Sequence, residues 1–175
     1  PFDAVERPIA LRSDNHLYRE PEIEPKPQQT WTAVHDKKRG LAVISTGLME
    51  SGVRDLPERP VVLTLFRSTR RTVGTDGEPE GQLLGDLHFS YWIVPLEGAP
   101  DRARLFLLGQ QLGAGVRNEQ LLAKDLKGRS DQRVPASASY LRVDGPVVVT
   151  SIEQVGTGLQ VRMFNPSTKG VDATI

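Results

Sequence analysis

The sequence predicts a mainly β protein, an antiparallel β-sandwich that carries one short helix. Three observations lead there. Apolar residues recur at every second position or in short continuous runs. Between those runs, at spacings of about 8–12 residues, fall turn signals drawn from 16 glycines and 13 prolines scattered along the 175 residues. Only one window, 99–112, spaces its leucines for a helix. The length suffices to bury a core without disulfides or structural metals.

Taken in order, residues 6–26 are polar and proline-bearing and read as an extended approach. Trp31, Ala33 and His35 alternate with Thr30, Thr32 and Val34 as a strand over residues 30–35. Asp36-Lys37-Lys38-Arg39-Gly40 makes a turn, and 41–45 is the return arm of a hairpin. Residues 60–67, rich in Val and Leu, predict a strand buried on both faces that runs into Arg67, Arg70 and Arg71. A strand that ends in clustered guanidinium groups needs a partner for them: a carboxylate of the fold, a neighbouring domain or a polar ligand. Residues 72–82 read as a loop, and 86–94 as an aromatic strand closed by Pro95. For the helix, Pro100 and Asp101 suit the first turn, Leu105, Leu108 and Leu112 share a face, and Gly113 and Gly115 are stop signals. Residues 116–135 are polar. Strands are expected at 139–143, 147–153 and 159–164, with a last one near Val171. Gly145-Pro146 and Gly156-Thr157-Gly158 serve as turns.

Composition narrows the function. Twenty-two basic residues balance twenty-two acidic ones, so no net field draws the chain to nucleic acid or to an anionic membrane. Cysteine is absent, which excludes disulfides and thiolate chemistry and fits a cytoplasmic location. No run is apolar enough to span a bilayer. The opening Pro1-Phe2-Asp3 and the closing Ala173-Thr174-Ile175 both read as cuts through a longer polypeptide.

Catalytic candidates are few. His16, His35 and His88 lack the spacing of a metal site, and no metal is expected to bind here. Asp86 and His88 share a strand face and could form an oriented pair, although a solvated polar face explains them as well. Trp31 and Trp92 could stack on a sugar or simply fill a core. Glu50, Asp55 and Glu58 do not make an assignable carboxylate pair. These residues alone describe a β-sandwich without an evident active site.

The order of short motifs is more specific. Pro1-Phe2-Asp3-Ala4-Val5-Glu6-Arg7-Pro8 resembles P-F-G-x-[IV]-E-R-P, with Asp3 where glycine is usual. Trp31 to Asp36 followed by Arg39 to Ile44 and Gly47-Leu48 is similar to W-x-D-[LV]-x-D…G-L-A-[LV]-L-N-x-G-L, with Ala33 and Ser45 departing from it. Glu50 to Val53 is similar to E-Y-x-V, with Ser51 replacing the aromatic. Leu63-Thr64-Leu65-Phe66-Arg67-Ser68 resembles L-T-L-L-R-S. Gly85 to Tyr91 resembles G-x-H-x-F-x-Y, with Leu87 where histidine is commoner. Val161-Arg162-Met163-Phe164-Asn165-Pro166-Ser167 resembles [LV]-R-[LF]-[YF]-N-P-[ST]. In this order the motifs resemble the C-terminal β-sandwich region of glycoside hydrolase family 38, the α-mannosidases, and its bacterial branch in particular.

That resemblance implies a supersandwich-like fold. It implies that residues 1–28 are an extended arm or a strand from a preceding β-domain, and that 29–175 are the C-terminal β-sandwich of a larger glycosidase. The parent would cleave α-mannosidic bonds with retention, through a carboxylate nucleophile and a zinc ion held in a catalytic domain that lies outside this chain. No catalytic residue is then expected in the fragment, which would be inactive alone. Its partners would be the catalytic domain of the same polypeptide and the α-mannoside substrate, and a homo-oligomer is compatible with this reading. Arg67 is the one substrate-binding candidate. The resemblance puts it near the catalytic face, where it could grip a carboxylate of the catalytic domain or a sugar hydroxyl, and an intradomain salt bridge is the competing role. The alternative to an enzyme part is an independent carbohydrate-binding or interaction module.

Overall fold

In a computed structural model of the chain, residues 3–71, 77, 79–118, 120, 122 and 137–175 are described. Among them are eight strands in antiparallel sheets and one α-helix, a mainly β, sandwich-like architecture. The chain divides into two compact units, Pro1–Gly113 and Ala114–Ile175.

The first unit holds β1 (Lys26–Pro27), β2 (Trp31–His35), β3 (Gly40–Ser45), β4 (Glu50–Val53), β5 (Val61–Thr64), β6 (Tyr91–Leu96) and α1 (Arg102–Ala114). They form two three-stranded sheets, ordered β1-β4-β5 and β2-β3-β6. The hairpin expected between 30 and 45 is present, with Trp31 opposite Ile44 and His35 opposite Gly40. Its turn is fixed by Asp36, whose Oδ1 accepts hydrogen bonds from the backbone N–H of Lys38 (2.7 Å) and of Arg39 (2.9 Å). These two donors, with help from the Arg39 side chain, hold the Asp36 carboxyl below its ordinary value.

The two sheets are joined at a corner. Both arms of the hairpin run past the end of their own sheet and into the other: 28–30 links β1 to β2, and 46–49 links β3 to β4. Main-chain pairing hardly breaks across the bend, since Ser45 N–H bonds Thr30 O (2.9 Å) and Gln28 N–H bonds Met49 O (2.7 Å). The Gln28 amide fills the inside of the corner, its Nε2 donating to Ser45 Oγ at 2.7 Å and to Leu48 O at 3.2 Å. Ser45 and Leu48 are both buried.

The core lies on one face of the second sheet. Ala42, Ile44 and Leu105 are its centre, with Trp31, Ala33, Val94, Leu96, Leu108 and Leu112 packed around them. The leucine face of α1 is therefore the one that the spacing predicts. Asp101 precedes the helix and caps it, its Oδ1 accepting from Arg104 N–H at 3.0 Å. The helix continues through Gly113 and ends at Ala114, where Gly115 turns left-handed (φ 62°). At Gly109 the helix comes so close to the residue just before β2 that an added Cβ would sit 3.0 Å from the Thr30 side chain.

Several expectations need correction. The strand buried on both faces is β3, not β5: residues Ala42–Ser45 are all buried, since β3 is the middle strand and carries α1 on one side. β5 stops at Thr64, is only half-buried, and has a neighbour on one side alone, while Leu65 and Phe66 beyond it are exposed. The aromatic strand begins at Tyr91 rather than Asp86 and does not close at Pro95. It runs on to Leu96 because Pro95 stands opposite Leu41 in a non-hydrogen-bonded pair at the sheet edge, where its missing N–H would have pointed outward. The approach at 6–26 contains a 3-10 turn at Asn15–Leu17 and becomes a strand only at Lys26. Of the loop expected at 72–82, residues 72–76 and 78 lie outside the described residues, as do 119, 121 and 123–136 of the polar stretch.

The second unit is built on a hairpin of β7 (Val148–Val155) and β8 (Gly158–Phe164) turning through Gly156-Thr157, with a bulge at Thr150. The strands expected at 139–143 and near Val171 are absent among the described residues. One bridge replaces them, in which Asp144 and Thr174 exchange N–H···O bonds of 2.9 Å. After β8, Asn165 closes a turn by accepting from Ser167 N–H and donating to Lys169 O. No helix among the described residues is long and apolar enough to cross a membrane.

Replacing Gln28 by alanine should destabilise the protein by about 1–3 kcal/mol, because it strips the buried Ser45 hydroxyl of its donor and leaves Leu48 O with only the longer bond from Ser45 Oγ (3.5 Å). Urea unfolding followed by circular dichroism would show this as a lower midpoint at an unchanged m-value. Asp36 gives an acid-sensitive contribution with a definite sign. Its pKa is lower in the folded state, so its stabilisation is complete above the ordinary value of 3.8 and fades as the pH falls through the lowered one. Asp36→Ala should flatten the acid limb of the stability profile below that pH, as measured by thermal unfolding at stepped pH.

Candidate functional site

Arg67 lies three residues beyond the end of β5 and turns back onto β4. Glu50 opens β4 opposite Thr64, and its Oε2 accepts from Arg67 Nε at 2.8 Å and Nη2 at 2.7 Å. The two members differ in exposure, 62% for the Arg67 side chain against 26% for Glu50. Glu50 is thus the recessed partner, and it holds the guanidinium plane from behind. An arginine has five N–H donors, and two of them are used here. The competing role foreseen for Arg67, an intradomain ion pair, is present, and it leaves the outer edge of the guanidinium facing solvent.

The segment around Arg67 is tied at its base. Phe66 stacks on Phe89 with ring centres 6.2 Å apart and planes within 10°. Thr69 N–H bonds Gly81 O (2.8 Å), and Gln82 Nε2 bonds Thr69 O (2.6 Å). Arg70 enters through its backbone, its carbonyl accepting from Gly77 N–H at 3.0 Å.

The remaining candidates do not gather. His16 lies in the 3-10 turn, His35 at the end of β2 with Nδ1 3.3 Å from Asp36 O, and His88 ahead of β6. Asp86 and His88 are not on a strand, so they share no strand face. Among the described residues no group of three His, Cys, Asp or Glu side chains could hold a metal ion. Glu50 is engaged by Arg67, and Asp55 is ion-paired with Arg59. Trp31 and Trp92 stand on the same face of the sheet with Ile44 between them. Trp31 is packed edge-on against Phe106, with centres 5.5 Å apart and planes at 80°, so the two indoles do not form a flat stacking surface.

The sequence reading missed a trough of about 670 Å³ along β2. Every residue of β2 lines it, and its other walls are the arm between Asp3 and Leu11, the stretch from Glu24 to Thr30, Ser51–Val53 of β4, and the start of α1 with Ala99 and Pro100 before it. Arg102 holds the arm in place, its Nη2 2.9 Å from Glu6 Oε1 and its Nη1 3.7 Å from Asp3 Oδ1. The signal available in the sequence was the pair of acids at positions 3 and 6, three apart where the chain enters the stretch read as an extended approach.

No family model matches the chain, and no curated protein sequence matches it. Among solved structures, it is similar to the crystal structure of an α-mannosidase from Enterococcus faecalis V583. The TM-score is 0.67 at 22% sequence identity. The match takes in 98% of this chain and only 19% of the mannosidase chain. The chain therefore shares the fold of about a fifth of that protein.

Proposed function

We propose that this chain is a non-catalytic β-domain of an α-mannosidase, one that supports and helps to line the catalytic pocket of a parent enzyme. The observation that carries the reading is the fold match, which runs over nearly all of this chain and lies within a much longer mannosidase. The order of motifs from Pro1 to Ser167 supports the same family 38 assignment, independently of the fold.

The surfaces agree with it. Leu65, Phe66, Tyr91 and Ile93 are exposed in the first unit, and Ile152, Val155 and Leu159 in the second. A two-stranded hairpin is marginal in water by itself, and β7-β8 keeps large apolar side chains in solvent, as a domain that packs onto further polypeptide does. The described residues do not fit a zinc site, so the zinc and the nucleophile of a retaining family 38 enzyme belong, on this proposal, to polypeptide outside the chain. The free-standing carbohydrate module is not favoured, because Trp31 is committed to the core beside Phe106.

Within that reading Arg67 is the residue that meets the catalytic domain or the sugar. Glu50 fixes the guanidinium before the partner arrives, which lowers the ordering cost of a further hydrogen bond. In the full-length enzyme, Arg67→Ala should lower kcat/KM about tenfold, corresponding to roughly 1.4 kcal/mol of transition-state stabilisation. It should change the melting temperature little, since an exposed ion pair contributes about 0–1 kcal/mol. Glu50→Gln should show a smaller kinetic loss. Unchanged kinetics in both variants would reduce Arg67 to an intradomain contact. The 175 residues alone should not hydrolyse an aryl α-mannoside with or without added zinc, and turnover by the pure chain would disprove the non-catalytic assignment.

A further inference from the structure

The outer edge of β2 carries a row of main-chain groups with nothing to bond. The hydrogen bonds that flank the hairpin, Ser45 N–H to Thr30 O and Asp36 N–H to Arg39 O, set its phase. Thr32 and Val34 therefore face β3, and the N–H and C=O groups of Trp31, Ala33 and His35 face the other way. None of these six groups has a hydrogen-bond partner among the described residues. Residues Trp31–Val34 are half-buried on the floor of the trough, so water reaches the row only partly.

The other edges of the two sheets are protected. On β1, Pro25 and Pro27 occupy the outward-facing phase, because Gln28 and Lys26 face β4. On β6 it is Pro95 that points outward. β5 is four residues long and runs into Arg67. Proline, shortness and charge are the usual means of keeping an edge from pairing. β2 has none of them: Trp-Thr-Ala-Val-His is regular over five residues and free of Pro, Gly, Lys and Arg.

We propose that the trough seats a β-strand, and that this strand comes from the same parent polypeptide, outside these 175 residues. The inference deepens the enzyme-domain reading above and rests on it for the source of the strand. The dimensions suit it, since five paired residues need about 17 Å of edge and the trough runs the whole length of β2 with a volume near 670 Å³. The charges select its character. Arg102 is neutralised by Asp3 and Glu6, Glu24 by Arg54 at 3.4 Å, and Lys26 by Glu22 at 2.6 Å. Arg7 lines the trough as well, so its three acids, Asp3, Glu6 and Glu24, are balanced by three bases, Arg7, Lys26 and Arg102, and a strand without net charge fits it. It would give the row on β2 its hydrogen bonds and add a fourth strand to the sheet that carries the core. The buried indole N–H of Trp31, which also lacks a partner, stands beside it. Tethering within one polypeptide supplies the strand at a high effective concentration, so the five-residue pairing need not be strong by itself.

Amide hydrogen exchange on the full-length parent protein tests the proposal. The outward amides of Trp31, Ala33 and His35 should exchange as slowly as those of Thr32 and Val34, within about tenfold. Exchange at the rate of open loop amides would overturn it. Protection that disappears on dilution together with a dimer would assign the strand to a second copy and overturn the intramolecular source. Ala33→Pro provides a second reading, because it deletes an outward N–H and no β2-β3 hydrogen bond. The variant should keep protection at Thr32 and Val34 while Trp31 and His35 lose at least tenfold. Equal loss at all four positions would mean that β2 itself had unfolded, and the wild-type exchange pattern would then decide. Exchange does not depend on turnover, so a parent protein with protected odd-numbered amides but no mannosidase activity would sink the functional reading and leave the strand in place.

Discussion

The bend at Gln28 governs the first unit. A β-hairpin normally belongs to one sheet, whereas here both of its arms continue into a second sheet after three or four residues. Such a bend would leave backbone groups unpaired on its inner side, and desolvated amides are costly. Gln28 bridges Ser45 Oγ and Leu48 O on that side through its Nε2, while its own Oε1 is buried without a partner among the described residues. The rest follows from the bend. Sheet β2-β3-β6 is free to lay Ala42 and Ile44 under the helix, and β4 is delivered to β5 so that Glu50 stands where Arg67 returns.

How far the sequence could be read depended on whether an element was governed by its own residues or by its neighbours. The β2-β3 hairpin, the β7-β8 hairpin and α1 were legible because local chemistry determines them: the Asp36 turn, the Gly156-Thr157 turn, the Asp101 cap and the leucine face. Burial was harder. Val61 to Phe66 is at least as apolar as Gly40 to Ser45, yet only the latter contains a fully buried run, Ala42–Ser45, because a middle strand is covered by partners that composition does not announce. Pro95 misled for a related reason, since proline ends a strand only where its N–H would have been used. The candidate site was half legible. Arg67 stood out from its cluster, but its partner Glu50 lies seventeen residues away and became visible only through the β4-β5 register.

The pairing of an exposed guanidinium with a recessed carboxylate also separates two tasks that one arginine could otherwise confuse. Glu50 keeps the side chain extended and oriented, and the fold gains little stability from doing so. The outer donors stay available. The same division recurs at Arg102, whose side chain is four-fifths shielded and serves only to hold the arm over the trough. One arginine faces outward from the domain and the other is used up within it.

The Phe66–Phe89 stack has an effect on how the chain tolerates change. Together with the Thr69–Gly81 bond it brings the two ends of the excursion at 67–88 side by side and locks them there. The register of β5 and β6 is then insulated from changes in the length of the excursion. Doubling the length of a flexible insert at such a place costs about 0.6 kcal/mol in closure entropy. The excursion is therefore a natural port, where a fluorescent reporter could be spliced in without re-registering β5 or β6.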